Sequence, residues 1–187
     1  MRLLPPAAEP FTPSTERDML PSERREFVRT HRTCVFGYPR RHDGPAMSIV
    51  YYVPTDGDEL LVSTMAGRAK AKAVTRDGKV SLCVLDERWP FAFLQVYADA
   101  VIDRDPDLTV DVMMAVGWRM SGQQTPEDAR PFVHEMAARE DRLVIRCRPY
   151  ATFGQPPRHL YANEQATELT HWKSASVAWD ATDSVAH

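Results

Sequence analysis

The chain has 187 residues, 43% of them hydrophobic, enough to build one sizeable core. Its formal net charge of −3 gives no general pull toward nucleic acid or an anionic membrane. No apolar run reaches the length of a membrane span, and Met1-Arg2-Leu3-Leu4-Pro5-Pro6 lacks a signal-peptide hydrophobic region, so a cytoplasmic protein is expected.

In chain order, residues 1–20 hold Pro5, Pro6, Pro10 and Pro13 with little periodicity, and residues 1–21 read as an N-terminal arm suited to lying over a partner. Ser22 is placed to cap a short helix through Glu26, Phe27 and Val28. Arg32 to Tyr38 reads as a strand, and Arg40 to Pro45 as a polar hairpin turn. Met47 to Val53 returns as a β-rich run, and Pro54-Thr55-Asp56-Gly57 turns again. Glu59 to Thr64 is the third strand. Arg68 to Arg76 reads as a short helix with Ala66, Ala69 and Ala73 as a small-residue stripe. Asp77-Gly78 ends it, and Val80 to Leu85 is the next strand. Glu87 to Phe91 makes an aromatic turn into Phe93 to Ile102, where Gln95, Tyr97 and Asp99 share a face.

Asp105-Pro106 then opens a helix running to about Met120, with a capping Asp and Pro at the first position. Thr125 to Asp128 begins another with a capping-box-like pattern, which Pro131 is expected to kink early. Leu143 to Phe153 is the closing strand, and Gly154-Gln155-Pro156-Pro157 ends it. Residues 158–187 form a polar C-terminal extension with scattered aromatics. Six strands with helices outside predict a closed or nearly closed antiparallel barrel over residues 22–157. Such a small barrel fills its own interior, so a ligand belongs on its outside or at a seam between subunits.

The organising stretch is the third strand and the helix after it. Arg68, Lys70 and Lys72 crowd a helix start, where the positive end of the dipole makes each cation unfavourable by roughly 0.3–1 kcal/mol. No acid lies between Glu59 and Asp77 to offset them. Regular helical spacing puts Arg68, Lys72 and Arg76 in one row, with Lys70 pointing elsewhere. Two readings stand: a solvated basic face, or a site where an anion recruits Ser63, Thr64 and free backbone N–H groups. Hydroxyls placed immediately before the cations favour the anion.

Cys34, Cys83 and Cys147 are odd in number, show no metal-ligand spacing and read as buried reduced thiols. No Ser/His/Asp or Cys/His arrangement emerges from spacing. His31, His42 and His134 fall near helices and turns, where surface positions are expected, and Tyr51 or Tyr52 is a proton donor only if it faces a groove.

The order strand, Asp-Gly turn, strand, Ser63-Thr64, Gly67-Arg68-Ala69-Lys70-Ala71-Lys72, strand ending Leu85-Asp86, aromatic turn and long strand resembles the split β-barrel flavin and deazaflavin oxidoreductases. These include the pyridoxamine phosphate oxidase-like proteins. Asp141 to Ile145 and Tyr150 to Pro157 are similar to the actinobacterial branch that uses coenzyme F-420. Where that family often has Arg-Asn-Leu, this chain has Lys72-Ala73-Val74, a departure that bears on the phosphate contacts.

The resemblance implies a mainly β split barrel whose Ser63, Thr64, Met65, Arg68, Lys70 and Lys72 hold a cofactor phosphate. It implies a homodimer with coenzyme F-420, or alternatively FMN, at its interface. Met47, Ser48 and Ile49 would line the ring edge, though ordinary strand packing is an equal reading. Trp89 or Phe91 would reach across from the other subunit, or cover the seam. The implied activity is hydride transfer to an activated C=C or C=N bond of a small molecule. An FMN-dependent oxidase or reductase, a non-catalytic flavin or deazaflavin carrier and a haem-binding protein are the alternatives; the last needs an axial histidine in the groove.

Overall fold

A computed structural model of the protein describes residues 1–14, 18–88, 91–155 and 176–183. Its elements are α1 (Pro21–Thr30), β1 (Thr33–Tyr38), β2 (Ala46–Tyr51), β3 (Val53–Pro54) and β4 (Leu60–Met65), then α2 (Ala69–Asp77), β5 (Lys79–Asp86) and β6 (Ala92–Asp103). After these come α3 (Pro106–Ser121), a 3-10 turn at Glu127–Ala129, α4 (Arg130–Arg139), β7 (Arg142–Gln155) and β8 (Val177–Ala178). The strands join one antiparallel sheet in the order β2-β1-β5-β6-β7-β4-β3, and β8 adds to β7. This is a split β-barrel.

Period-two alternation decides the faces. Leu82, Val84, Leu94, Val96, Ala98, Ile145 and Cys147 point into the barrel, with Phe27 and Val28 of α1 and Ala71 and Val74 of α2 joining them. The opposite faces of β4 and β7 are also buried: Leu61 and Val144 pack beneath Val112 of α3. Val110 and Met114 of α3 in turn meet Val133 and Ala137 of α4. The α3–α4 hairpin therefore forms an outer layer on one side of the barrel.

The feature that positions the site is a split. The chain passes from β2 directly into β3, which pairs with β4 at Val53–Leu61 and Pro54–Leu60. Continued toward β2, that register would set Tyr51 opposite Ser63. The pairing stops instead: β2 bonds β1, while β4 bonds β3 and β7. Beyond the hairpin end, β2 and β4 splay into a cleft.

Described residues near each end of the chain lie on the barrel. Leu3 bridges Thr55, and the Leu4 N–H donates to the Pro54 carbonyl at 2.9 Å, covering the edge of β3. At the other end Trp179 is buried in the core, and Arg25 Nη1 donates to the carbonyls of Trp179 and Ala181 at 2.7 and 2.9 Å.

Several local expectations are corrected. Eight strands are described rather than six, because Tyr52 interrupts the run after β2 and the extension contributes β8. Tyr52 is fully buried, and its hydroxyl donates to the Val28 carbonyl at 2.6 Å. The first helix is capped not by Ser22 but two residues earlier, at Leu20, whose N–H donates to the Glu23 carboxylate at 2.8 Å. Pro131 does not kink a helix; it sits in the first turn of α4, where its missing N–H costs nothing. Ala69 is exposed, and the buried face of α2 is Ala71, Ala73 and Val74.

Candidate functional site

A cavity of about 400 Å³ occupies the cleft between β2 and β4. Ser48 comes from β2, Ser63 and Thr64 from β4, Arg68 and Lys70 from the start of α2, with Tyr38, Met65 and Arg142 completing the wall. Helix α2 begins one residue later than the sequence spacing implies. Arg68 is its N-cap, with extended backbone (φ −72°, ψ 148°) and no side-chain capping bond. The Arg68 carbonyl accepts from the Lys72 N–H at 3.2 Å, but the extended backbone of Arg68 frees its side chain from sharing a face with Lys72. It turns instead to the wall that carries Lys70.

The cavity is electropositive and uncompensated. The first turn of α2 holds no acid, and its leading N–H groups lack intrahelical acceptors by construction. Burial, then the neighbouring Arg68, pushes the Lys70 pKa below the ordinary lysine value. Its Nζ also stands 6.0 Å from the centroid of the Phe36 ring. Ser48 Oγ and Ser63 Oγ are buried without a hydrogen-bond partner among the described residues. Among the described residues these two orphaned hydroxyls lie beside two cations that make no ion pair, a donor set able to hold an acceptor-rich anion. A phosphate meets that requirement.

The structure thus brings together Ser48, Ser63, Thr64, Met65, Arg68 and Lys70. Lys72 is exposed and outside the cavity lining, and Arg76 is engaged with Asp77 and the Pro39 carbonyl. Met47 and Ile49 alternate away from Ser48 and are 69% and 79% exposed on the outer face of β2. Phe91 is 42% exposed at the β5–β6 turn. It neighbours Phe93, which pairs with Gln155, while the cavity lies where Met65 pairs with Arg142, at the other end of β7. Trp89 lies outside the described residues.

Two contributors escaped the sequence reading. Tyr38 arrives as the last residue of β1. Arg142 arrives because β7 starts opposite Met65, and its guanidinium donates to Glu140 at 2.7 Å. Neither has a local signal; long-range register alone delivers them. A second cavity of about 390 Å³ adjoins the first, shares Ser63 and Arg142 with it, and is lined mainly by apolar residues of β2, α3 and α4.

His31 contradicts its expected surface position. It is only 8% exposed, its Nδ1 lies 2.7 Å from the Phe27 carbonyl, and Nε2 is 3.5 Å from Asp86. Burial pushes its pKa down despite the carboxylate. Cys34 and Cys147 are buried free thiols, and Cys83 is half-buried. Among the described residues no three metal-ligating side chains converge, and no helix is long and apolar enough to cross a membrane.

Comparison with known proteins adds the family. The profile described as Pyridoxamine 5'-phosphate oxidase matches residues 20–156. No curated protein matches the chain. Among solved structures, a conserved hypothetical protein of Mycobacterium tuberculosis superposes with a TM-score of 0.66 at 22% identity, covering 80% of this chain and 92% of that one. A protein named F420 reductase gives 0.50 at 22% identity, over 65% of this chain and 88% of that one. A haem-binding protein of Mycobacterium smegmatis gives 0.56 at 13%, over 88% of this chain and 60% of that one. At these identities the likenesses speak for the fold.

Proposed function

The chain belongs to the pyridoxamine 5'-phosphate oxidase family, and from that premise we propose that it is a cytoplasmic oxidoreductase that holds coenzyme F-420 in the β2–β4 cleft and reduces a small molecule. The observation that carries this reading is the pairing of Arg68 and Lys70, uncompensated by acid, with the orphaned hydroxyls of Ser48 and Ser63. Arg68 would grip the cofactor phosphate with its planar fork, Lys70 would add a point charge, and the hydroxyls would donate to the remaining oxygens. Thr64 and the first N–H groups of α2 complete the cradle.

When bound, a reduced deazaflavin supplies a hydride to an electron-poor C=C or C=N bond, and the accompanying proton comes from a protein group or solvent. The chain's own part is to anchor, orient and desolvate. Of the two adjacent tyrosines, Tyr52 is committed to the Val28 carbonyl, while Tyr51 lines the apolar cavity beside Ser63. FMN carries the same phosphate chemistry and is the alternative guest. The haem alternative asks for an axial histidine, and no described residue lining either cavity is one.

The reading extends to a homodimer. Ile49, Val35, Cys83, Gln95 and Phe153 lie side by side across β2, β1, β5, β6 and β7, on the face opposite the barrel core. All five retain exposure in the single chain, and Ile49 retains most. A two-fold partner seated there would bury this row and bring its own β5–β6 turn, with Phe91, toward the cleft. Titration of the purified protein with coenzyme F-420 and with FMN, followed by fluorescence, tests the cofactor. Failure of both to bind sinks the reading. Sedimentation of Ile49→Asp against the parent tests the dimer, with a shift to monomer expected.

A further inference from the structure

Among the described residues only two other than glycine have positive φ, Asp58 and Asp141. Asp58 has a local task, closing the β3–β4 turn with its N–H on the Thr55 carbonyl at 3.2 Å. Asp141, at φ 46°, lies where α4 gives way to β7. Glu140 is the C-cap of α4, the Asp141 N–H still returns to the Ala138 carbonyl at 3.2 Å, and Arg142 already pairs with Met65. One left-handed residue therefore turns the chain from helix into strand. Glycine makes that step most easily, and aspartate or asparagine better than other side chains. No buried contact asks for the carboxylate: the side chain is 72% exposed, and its ion pair with the equally open Arg104 spans 3.7 Å.

What the turn does is aim a carbonyl. The Asp141 carbonyl accepts from the Ala66 N–H at 2.8 Å, one step beyond the last β4–β7 pair. From that peg the chain needs only two more residues to reach Arg68, whose N–H closes a tight turn on the Met65 carbonyl at 3.1 Å. Arg68 makes no capping bond of its own, so the turn that delivers it fixes where it stands. Glu140 and Arg142 brace the peg from the side. Their ion pair, 2.7 Å long and about a quarter exposed, spans Asp141, and Arg142 stands in the same cleft wall as Arg68.

We infer that Asp141 is a positioning residue for the anion site: the left-handed turn after α4 pegs the β4–α2 turn through Ala66 and thereby sets the place of Arg68 in the cleft. This rests on the anion reading of that cleft. The residue acts through its backbone and touches no ligand.

Variants that separate backbone from charge test it. Asp141→Asn and Asp141→Val both delete the carboxylate, yet only valine resists the left-handed region. In the cofactor-free protein, amide exchange at Ala66 is expected to quicken about tenfold in Asp141→Val and to stay within about twofold of the parent in Asp141→Asn. Affinity for coenzyme F-420 and FMN, read by fluorescence titration, is expected to be about tenfold weaker in the valine than in the asparagine variant. Placed on Arg68→Ala, the two are expected to agree within about twofold. A merely loosened fold would weaken binding with or without Arg68, and the gap would persist. Should Asp141→Val not fold, Asp141→Ala replaces it, with a smaller effect of the same sign. Equal Ala66 exchange in the two variants, or a gap that survives the loss of Arg68, overturns the inference. If the parent binds neither cofactor, the redox reading falls, and inorganic phosphate, followed by amide shifts in β4 and α2, takes their place in the same cycle. Phosphate binding indifferent to Asp141, or none at all, likewise overturns the inference.

Discussion

Helices α2 and α3 end alike and begin in opposite ways. Each closes on a glycine in the left-handed region, Gly78 at φ 63° and Gly122 at φ 73°, whose N–H returns to the carbonyl four residues earlier. At its start α3 is self-sufficient: Asp105 Oδ1 accepts from the N–H groups of Asp107 and Leu108 at 2.9 and 3.4 Å, and Asp107 adds negative charge to the first turn. The start of α2 has Arg68 as an N-cap that makes no capping bond, then Lys70 and no acid. Its stability comes from burying Ala71, Ala73 and Val74. A chain able to cap one helix well leaves the other open at a terminus that lines the β2–β4 cleft. On the proposed reading, the open end is where local stability is given up for binding.

The contrast is broken most directly at the cations. Arg68→Ala combined with Lys70→Ala removes two charge-assisted contacts, each worth about 1.5–3 kcal/mol. Cofactor affinity is expected to fall by at least a hundredfold, read by fluorescence titration, while the far-ultraviolet circular dichroism stays that of the parent. Retained affinity would refute the phosphate site.

Swapping cap chemistry sharpens the same point. Asp105→Ala is expected to destabilise the protein by about 1 kcal/mol in urea unfolding, with cofactor affinity unchanged. Arg68→Asp is expected to do the reverse, stabilising the cofactor-free protein by about 1 kcal/mol while abolishing binding. If Arg68→Asp destabilised instead, α2 would not be an uncapped helix awaiting an anion.

Lys70 supplies a pH signature. Its pKa is lowered in the folded protein, so its charge opposes folding below that value. Stability is then gained as pH rises from the lowered folded value to the ordinary lysine value. Cofactor affinity should move the other way, declining over alkaline pH below the ordinary lysine pKa. Lys70→Met is expected to lose that limb in a pH series of dissociation constants. The smallest effect belongs to Lys72→Ala. That side chain is exposed and off the cavity wall, so affinity within about twofold of the parent and stability within about 0.5 kcal/mol are expected.

How far the sequence reached can be judged residue by residue. Ser63, Thr64, Arg68 and Lys70 were legible because strand, turn and helix start adjoin in the chain, and their hydroxyls and charges lack local partners. Lys72 falls outside the cavity lining: the four-residue spacing from Arg68 aligns their side chains only if Arg68 has helical backbone, and it is the extended cap. Arg142 and Tyr38 were invisible, since their place depends on β7 meeting β4 and β1 ending beside the cleft. His31 read as a surface residue because its turn is polar, whereas α1 folds it against Phe27, ring centroids 4.0 Å apart. The α3–α4 segment showed its helices but not the cavity that they enclose with β2.

Alternation, turn residues and charge placement are properties of neighbours along the chain, and they determined β1, β2, β4, β5, β6 and β7, the Gly78 stop and the cationic start of α2, but neither β3 as a separate strand nor β8. Which strands fail to pair is not a local property. The splaying of β2 from β4 arises because β3 ends the hairpin after two residue pairs and the closure between them is left open. Only the folded sheet could decide that opening, and with it the meeting of Ser48, Ser63, Arg142 and the methionines of α3 and α4 around one cleft.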